Sequence, residues 1–365
     1  IEGSDTFRYM VMYNNIETFS FYQIISTIFS FDNVYILSKG IYLTMLMLLS
    51  HNLGLSFQVL IGIQTVIYYY LIVNIIKIVL ENLDYDNLNI YSIIFLFGTF
   101  TIYSFSAGTN GIRFPTAFMF SVYFFLKYFY TEKKIFFFIS LLSGFIHFAV
   151  VQFSIVTSIY FISKSVKNYA LRIGLILVIL LPLFFIDINT IVQSLDVSLI
   201  ESKYTGYSSD QFIERRSNLL ERRNFYVNIP LFGDFYFLIV ALLLTRIKSN
   251  KIYHSRVVNE LFIVSLGLLF LTMINSIFLD FITNRYRQYF EMFASLYMVY
   301  FIIDNKRLLL SKFLSITYLP LYILGLLIYL RADSYTFDII KLSLSPILLI
   351  FNFDSHNIYD ILKLL

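Results

Sequence analysis

Arg113, the pair Arg285/Arg287 and His147 are the residues of this chain best suited to chemistry on an anion. A guanidinium fork matches phosphate oxygens in pairs and stays charged at any physiological pH. Arg113 stands in Gly111-Ile112-Arg113-Phe114-Pro115, a turn between two apolar runs. Pro115 suits the first turn of the helix that follows, where a missing N–H costs nothing. The positive end of that helix and the guanidinium together make an anion site. The plainer alternative is an arginine anchored to lipid headgroups. Arg285 and Arg287 lie in Asn284-Arg285-Tyr286-Arg287-Gln288, again before an apolar run. Two positions apart on a helix they point in different directions, so one is expected to face inward, and Arg285 is taken as that one.

His147, in Gly144-Phe145-Ile146-His147-Phe148-Ala149, has apolar sequence on both sides. Ionisable groups in such segments are costly and often functional. A neutral imidazole there suits the role of general base toward a hydroxyl. The alternative is a hydrogen-bonded packing histidine. No carboxylate neighbours it in sequence, so no metal site is expected. Asp5 is a second candidate base, or a turn cap. Lys203, Tyr204 and the Glu214-Arg215-Arg216…Glu221-Arg222-Arg223 repeat are candidates to close over a phosphate. The repeat's spacing of seven also fits a solvated helix laced with ion pairs.

The elements that must position these groups are membrane helices. The chain is 58% hydrophobic and 14% charged, well below the roughly 25% charge of soluble domains. Apolar runs at Leu55–Leu80, Val257–Leu279 and Phe313–Leu330 are each about the length of a span. Backbone groups in lipid must pair within their own segment, so the runs read as helices. No alternating ten-residue pattern of an outer-membrane barrel is present. The fold expected is an all-α polytopic membrane protein over residues 1–365. It has about ten to twelve transmembrane helices, short interfacial helices within 1–54 and one large external loop, 187–230. Cysteine is absent, which excludes disulfides and thiol catalysis. The chain opens at Ile1 in polar sequence, which reads as a start after a first membrane helix.

Basic clusters fix the topology. Lys127 with Lys133/Lys134, Lys164–Arg172, Arg246–Arg256 and Lys306–Lys312 are short positive connections, expected in the cytoplasm. Arg113, the 187–230 loop and Asp280–Arg287 then fall outside. The stretch Ile135–Ser163 holds roughly 29 residues, about 43 Å as one helix against a ~30 Å hydrocarbon core. Two short helices meeting near His147–Val151 keep both of its basic ends on one side. Basic residues follow topology throughout, so nucleic-acid binding is unsupported.

Several elements, in order, resemble the EpsG-type branch of the Wzy-like polysaccharide polymerases. Gly3-Ser4-Asp5…Tyr9 resembles that family's Gly-x-Asp-Tyr-x-x-Tyr element, with Thr6 in place of the first tyrosine. Lys39-Gly40-Ile41-Tyr42-Leu43 followed by Gly54-Leu55-Ser56-Phe57-Gln58 is similar to its Gly-Phe-x-Leu-Leu…Gly-x-x-Phe-Gln stretch. Arg113 with Ala117 resembles Arg-x-x-x-Ala. His147-Phe148-Ala149 resembles Phe-His-x-Ser, with Ala149 replacing serine. Lys203-Tyr204…Tyr207 resembles Lys-Tyr-x-x-Tyr, and Arg285-Tyr286…Tyr289-Phe290 resembles Arg-x-x-x-Tyr-Phe. The resemblance covers about 290 residues, and its ordered set is more specific than any one motif. It implies a metal-independent membrane glycosyltransferase without cofactor. Such an enzyme joins undecaprenyl-diphosphate-linked oligosaccharide repeat units, for O-antigen, capsule or exopolysaccharide, on the outer face of the bacterial cell membrane. A chain-length regulator is an implied partner. The implied catalytic residues are His147, Arg113, Arg285 and Asp5, with Arg287, Lys203, Tyr204, Arg215 and Tyr9 binding substrate. A flippase for the same lipid-linked unit would carry charges deeper in several helices and roughly matched halves. A membrane O-acyltransferase would also use an intramembrane histidine, but needs a cytoplasmic route for its acyl donor.

Overall fold

The computed structural model describes residues 5–14, 22, 41–101, 113–181, 233, 236, 255–278, 280–306 and 309–334. Among the described residues the chain is helical throughout and has no strand. Its helices are α1 (Asp5–Asn14), α2 (Ile41–Asn52), α3 (Phe57–Glu81), α4 (Ile90–Thr101), α5 (Arg113–Thr131), α6 (Lys134–Leu141) and α7 (Ser143–Ile146). They continue with α8 (Val151–Ser163), α9 (Tyr169–Leu180), α10 (Arg256–Phe278), α11 (Asp280–Asp304) and α12 (Leu309–Ser334).

Among the described residues two helices are long and apolar enough to cross a membrane, Phe57–Glu81 and the Arg256–Ile274 part of α10. Five further apolar helices are shorter, among them Lys134–Ile146, Val151–Ser163 and Tyr169–Leu180. Helix α3 buries one stripe, Phe57, Leu60, Gln64, Tyr68, Leu71, Ile75 and Val79, at the three-and-four spacing of a single face. Its opposite face exposes Val59, Ile63, Val66, Tyr70 and Val73. A helix long and apolar enough to cross a membrane thus carries an apolar outer face as well as a buried one.

The chain divides into two compact units. The first comprises Ile1–Leu83, Gly111–Tyr226 and Ile263–Phe290. There α2 ends on Gly54, whose φ of 66° is left-handed, and the Leu55 N–H returns to the Ser50 carbonyl at 2.9 Å. That closure suits glycine and turns the chain sharply into α3, which Ser56 caps through the Val59 N–H at 3.4 Å. Tyr9 and Tyr13 of α1 join Leu43, Met47, Leu48, Phe57 and Leu60 in one core cluster.

The Lys134–Ser163 stretch breaks at His147, as its length requires. Phe137 stacks on Phe161 at 4.3 Å, and Lys164 Nζ lies 3.4 Å from the Glu132 carboxylate. These pairings run in opposite directions from the break. Helices α6–α7 and α8 therefore form an antiparallel hairpin, with His147–Val150 at its tip and both basic ends at its base. Gly267 of α10 passes close beneath: a Cβ there would meet Val156 Cγ1 at 2.9 Å and Ile176 Cγ2 at 3.4 Å.

The second unit comprises Asp84–Asn110, Val227–Phe262 and Glu291–Leu365. Its core stacks Phe95 of α4 on Tyr318 of α12 at 5.6 Å. The Tyr322 hydroxyl accepts from Ser295 at 2.8 Å and reaches the Phe95 carbonyl at 3.3 Å. Ser255 N–H donates to the Asp304 carboxylate at 3.2 Å, tying the start of α10 to the end of α11. Burial raises the Asp304 carboxyl above the usual carboxylate range, against those bonds from Ser255.

Arg285 and Arg287 read as standing at the start of a helix, yet α11 is helical from Asp280 onward. The segment contains no glycine or proline, and polar side chains alone do not stop a helix. Arg285 and Arg287 therefore sit inside the helix rather than at its start. The 187–230 loop lies outside the described residues, as does much of the 1–54 stretch expected to hold interfacial helices.

Candidate functional site

Helix α5 begins at Arg113, with Pro115 in its first turn as the sequence suggests. Arg113 is half-buried. Its Nε–H donates to the Tyr9 hydroxyl at 3.0 Å, and its guanidinium carbon lies 5.4 Å from the Tyr9 ring centroid. Tyr9 is buried. It is placed to orient the arginine. Asp5 is the first residue of the helix that carries Tyr9; its side chain lies outside the described residues.

The first turn of α5 is held from behind by a buried polar chain. The Tyr42 hydroxyl donates to Gln64 Oε1, and Gln64 Nε2 donates to Thr116 Oγ1. Gln64 and Thr116 are both buried. An amide inside an apolar helix is costly unless bonded, so this chain ties α2, α3 and α5 at one register. Gln64 was not singled out from sequence. The available signal was a lone amide in the middle of an apolar run.

The hairpin tip reaches the same end of the unit. The His147 ring lies edge-on to Phe114, the neighbour of Arg113, at 5.6 Å between centroids. His147 has extended backbone, φ −154° and ψ 122°, between α7 and the short 3-10 turn Phe148–Val150. Its Nδ1 accepts the Ala149 N–H at 3.0 Å, and its carbonyl accepts the Val150 N–H at 3.1 Å. The residue thus caps the turn, as Asn or Ser would. Tyr286 of α11 donates its hydroxyl to the Ala149 carbonyl and closes the turn from the other side.

Next to Tyr286, Arg287 is buried, at 6% exposure. Of the pair, Arg287 is the arginine that the described side chains place inward; the Arg285 side chain lies outside them. One turn on, the Tyr289 hydroxyl pairs with Ser121 at 3.1 Å, and its ring stacks on Phe153 at 4.3 Å. These contacts register α11 against α5 and α8. Arg113, Tyr9, His147 and Arg287 are thereby brought to linked positions at one end of the first unit. Lys203, Tyr204 and Arg215 lie outside the described residues. Among the described residues no group of three His, Cys, Asp or Glu gathers to hold a metal ion.

No known protein family, curated protein or solved structure matches this chain.

Proposed function

We propose that this protein is a polytopic bacterial cell-membrane glycosyltransferase that joins undecaprenyl-diphosphate-linked oligosaccharide repeat units on the external side. The observation that carries the reading is the linkage of Arg113, Tyr9 and His147 at one end of a helical unit whose outer faces are apolar. Within the same unit, Ile135 and Phe138 of α6 and Leu171 and Val178 of α9 are exposed apolar residues as well. Helix α8 has 13 residues, about 20 Å of rise. With its basic base in the cytoplasm, the hairpin tip stands about two thirds of the way across a ~30 Å core. At that depth the site stands about 10 Å below the outer face of the core, so the diphosphate of a lipid-linked substrate has to be drawn into the protein to reach it.

The donor glycan leaves its diphosphate with concentrated negative charge. Preorganised cations aimed at that charge are worth about 10²–10³ in rate each. Arg113, fixed through Nε by Tyr9, serves that role, with Arg287 and Arg285 as further cations from α11. The acceptor hydroxyl of a second lipid-linked unit attacks the anomeric carbon. Its proton passes to a base, for which Asp5 and His147 are the candidates. Direct displacement inverts the anomeric centre.

Reconstitution of the full chain with purified lipid-linked repeat units, followed by gel analysis of product length, tests the proposal. A ladder of extended glycans is expected. Units that stay single in the presence of folded protein would sink it.

A further inference from the structure

We infer that Gln64 is a positioning residue for Arg113: through Thr116 it sets the register of α5 at which the guanidinium meets Tyr9. The inference rests on the polymerase reading for what the arginine does, and on contacts alone for what holds it.

Gln64 lies on the buried stripe of α3, with Leu60 and Tyr68 one turn to either side. An amide in that place is costly unless bonded, and an apolar residue of the same size would pack there without that cost. Contact between apolar faces is non-directional, so it tolerates a small slide of one helix along the other. A hydrogen bond does not, and a single buried asparagine fixes the register of a coiled coil in this way. Gln64 is bonded on each side. The Tyr42 hydroxyl of α2 donates to its Oε1, and its Nε2 donates to Thr116 Oγ1 of α5. Both neighbours are hydroxyls that can give or accept, so the chain stands with the amide in either orientation.

Both partners of the Arg113–Tyr9 bond are referred to one frame, the α2–α3 pair joined at Gly54. Leu60, one turn before Gln64, belongs with Leu43 to the core cluster that holds Tyr9. Tyr13, one turn after Tyr9 on α1, donates its hydroxyl to the Leu55 carbonyl in the turn between α2 and α3. Those contacts fix the phenol. Gln64 fixes the other partner, because Thr116 stands about 4.5 Å of rise beyond Arg113 in the first turn of α5. The bond that results runs 3.0 Å from Nε to the Tyr9 oxygen. A slide of α5 by about 1 Å would carry it out of hydrogen-bonding range and free the guanidinium to turn. Misplacement on that scale at a reacting centre costs about 10² in rate. Gln64 therefore acts on the reaction through the arginine.

An apolar copy of the chain tests this. Tyr42→Phe, Gln64→Met and Thr116→Val together remove its polar atoms at nearly constant volume, which leaves stability close to wild type and takes away the direction. We expect the extension kcat of the triple variant to fall between about tenfold and a hundredfold, with the thermal midpoint in detergent held within a few degrees. In a Tyr9→Phe background, where the bond is already gone, the same three changes should cost no more than about twofold further. Losses that multiply in full would make Gln64 a packing residue and overturn the inference. The arginine itself gives a direct readout in the ¹⁵N spectrum of the full chain in nanodiscs. Its Nε–H, assigned by its loss in Arg113→Lys, should exchange slowly with water in the wild type. Exchange should speed up by about tenfold or more in Tyr9→Phe and in the triple variant alike. Wild-type exchange in the triple variant overturns the inference whether or not the chain extends glycans. Tyr42→Phe alone removes one hydroxyl from the half-buried end of the chain and carries the test if the triple variant does not fold. Faster Arg113 exchange is expected there too, and exchange at the wild-type rate overturns the positioning role. A wild-type chain whose Arg113 behaves in this way, yet never extends a glycan, would sink the polymerase reading and leave the positioning role standing.

Discussion

The tip and the base of the α6–α8 hairpin are both cationic, yet they are built on different chemistry. At the base, Lys164 lies 3.4 Å from the Glu132 carboxylate and 4.9 Å from the Tyr128 ring centroid. Lys127 bonds the Tyr123 hydroxyl at 3.1 Å and sits 4.7 Å from the Phe136 centroid. These are ammonium groups on flexible stems held against aromatic faces, an arrangement that suits anchoring a helix end at an interface. At the end of α5 that meets the tip, the charge is the Arg113 guanidinium, oriented through one nitrogen by a buried phenol, and the adjoining Phe114 ring packs against the His147 imidazole that a backbone N–H holds. On the proposed reading, lysine at the base marks a side of the membrane. Arginine at the tip is held at a fixed angle, which marking a side does not require.

The largest expected effect breaks the tip. Arg113→Ala should lower chain extension by about 10²–10³ while leaving the thermal midpoint near wild type, because the lost term acts on transition-state charge. Arg113→Lys should recover little of it, since an ammonium has neither the Nε donor that Tyr9 accepts nor a fork. Steady-state extension rates together with thermal unfolding in detergent check both. Rates for Arg113→Lys near wild type would remove the distinction between the two ends.

A second change weakens the body of the hairpin and spares its ends. Gly267→Ala places a methyl 2.9 Å from Val156 Cγ1, closer than real carbon contacts come, between two helices that cannot both retreat. Overpacking of this kind costs about 1–3 kcal/mol. The thermal midpoint should fall by several degrees, and extension at low temperature should persist. An unchanged midpoint would show that α10 yields here.

Much of this contrast was legible in the sequence. The span read at Leu55–Leu80 is found at Phe57–Glu81, because one long apolar run between Ser56 and Asn82 fixes its own ends. The break at His147 followed from length alone. The partners were not legible. Nothing in the sequence pairs Gln64 with Thr116, or Tyr286 with the Ala149 carbonyl, because such bonds depend on which helices lie side by side. The cap at His147 was not legible for the same reason, since it depends on an N–H bond formed two residues away. The helix start expected at Arg285 was placed too late, because helices tolerate polar residues such as those from Asp280 to Arg287.

The smallest expected effect sharpens the base. Glu132 has φ 59°, a left-handed conformation that costs a non-glycine residue about 1 kcal/mol, in the tight turn from α5 into α6. Its N–H bonds the Tyr128 carbonyl at 2.7 Å, and that bond survives substitution. Glu132→Gly removes the backbone cost and also removes an ion pair whose carboxylate is half exposed, an interaction worth about 0–1 kcal/mol. The two terms oppose each other, and glycine's greater freedom in the unfolded chain consumes part of the gain. The midpoint should therefore move by no more than about 3 °C in either direction. Chain extension should stay at the wild-type rate, as it should for Lys164→Ala, since neither residue approaches the tip. A tenfold loss of extension in either variant would mean that the base, too, takes part in the reaction, and the division between an anchoring end and a reacting end would fall.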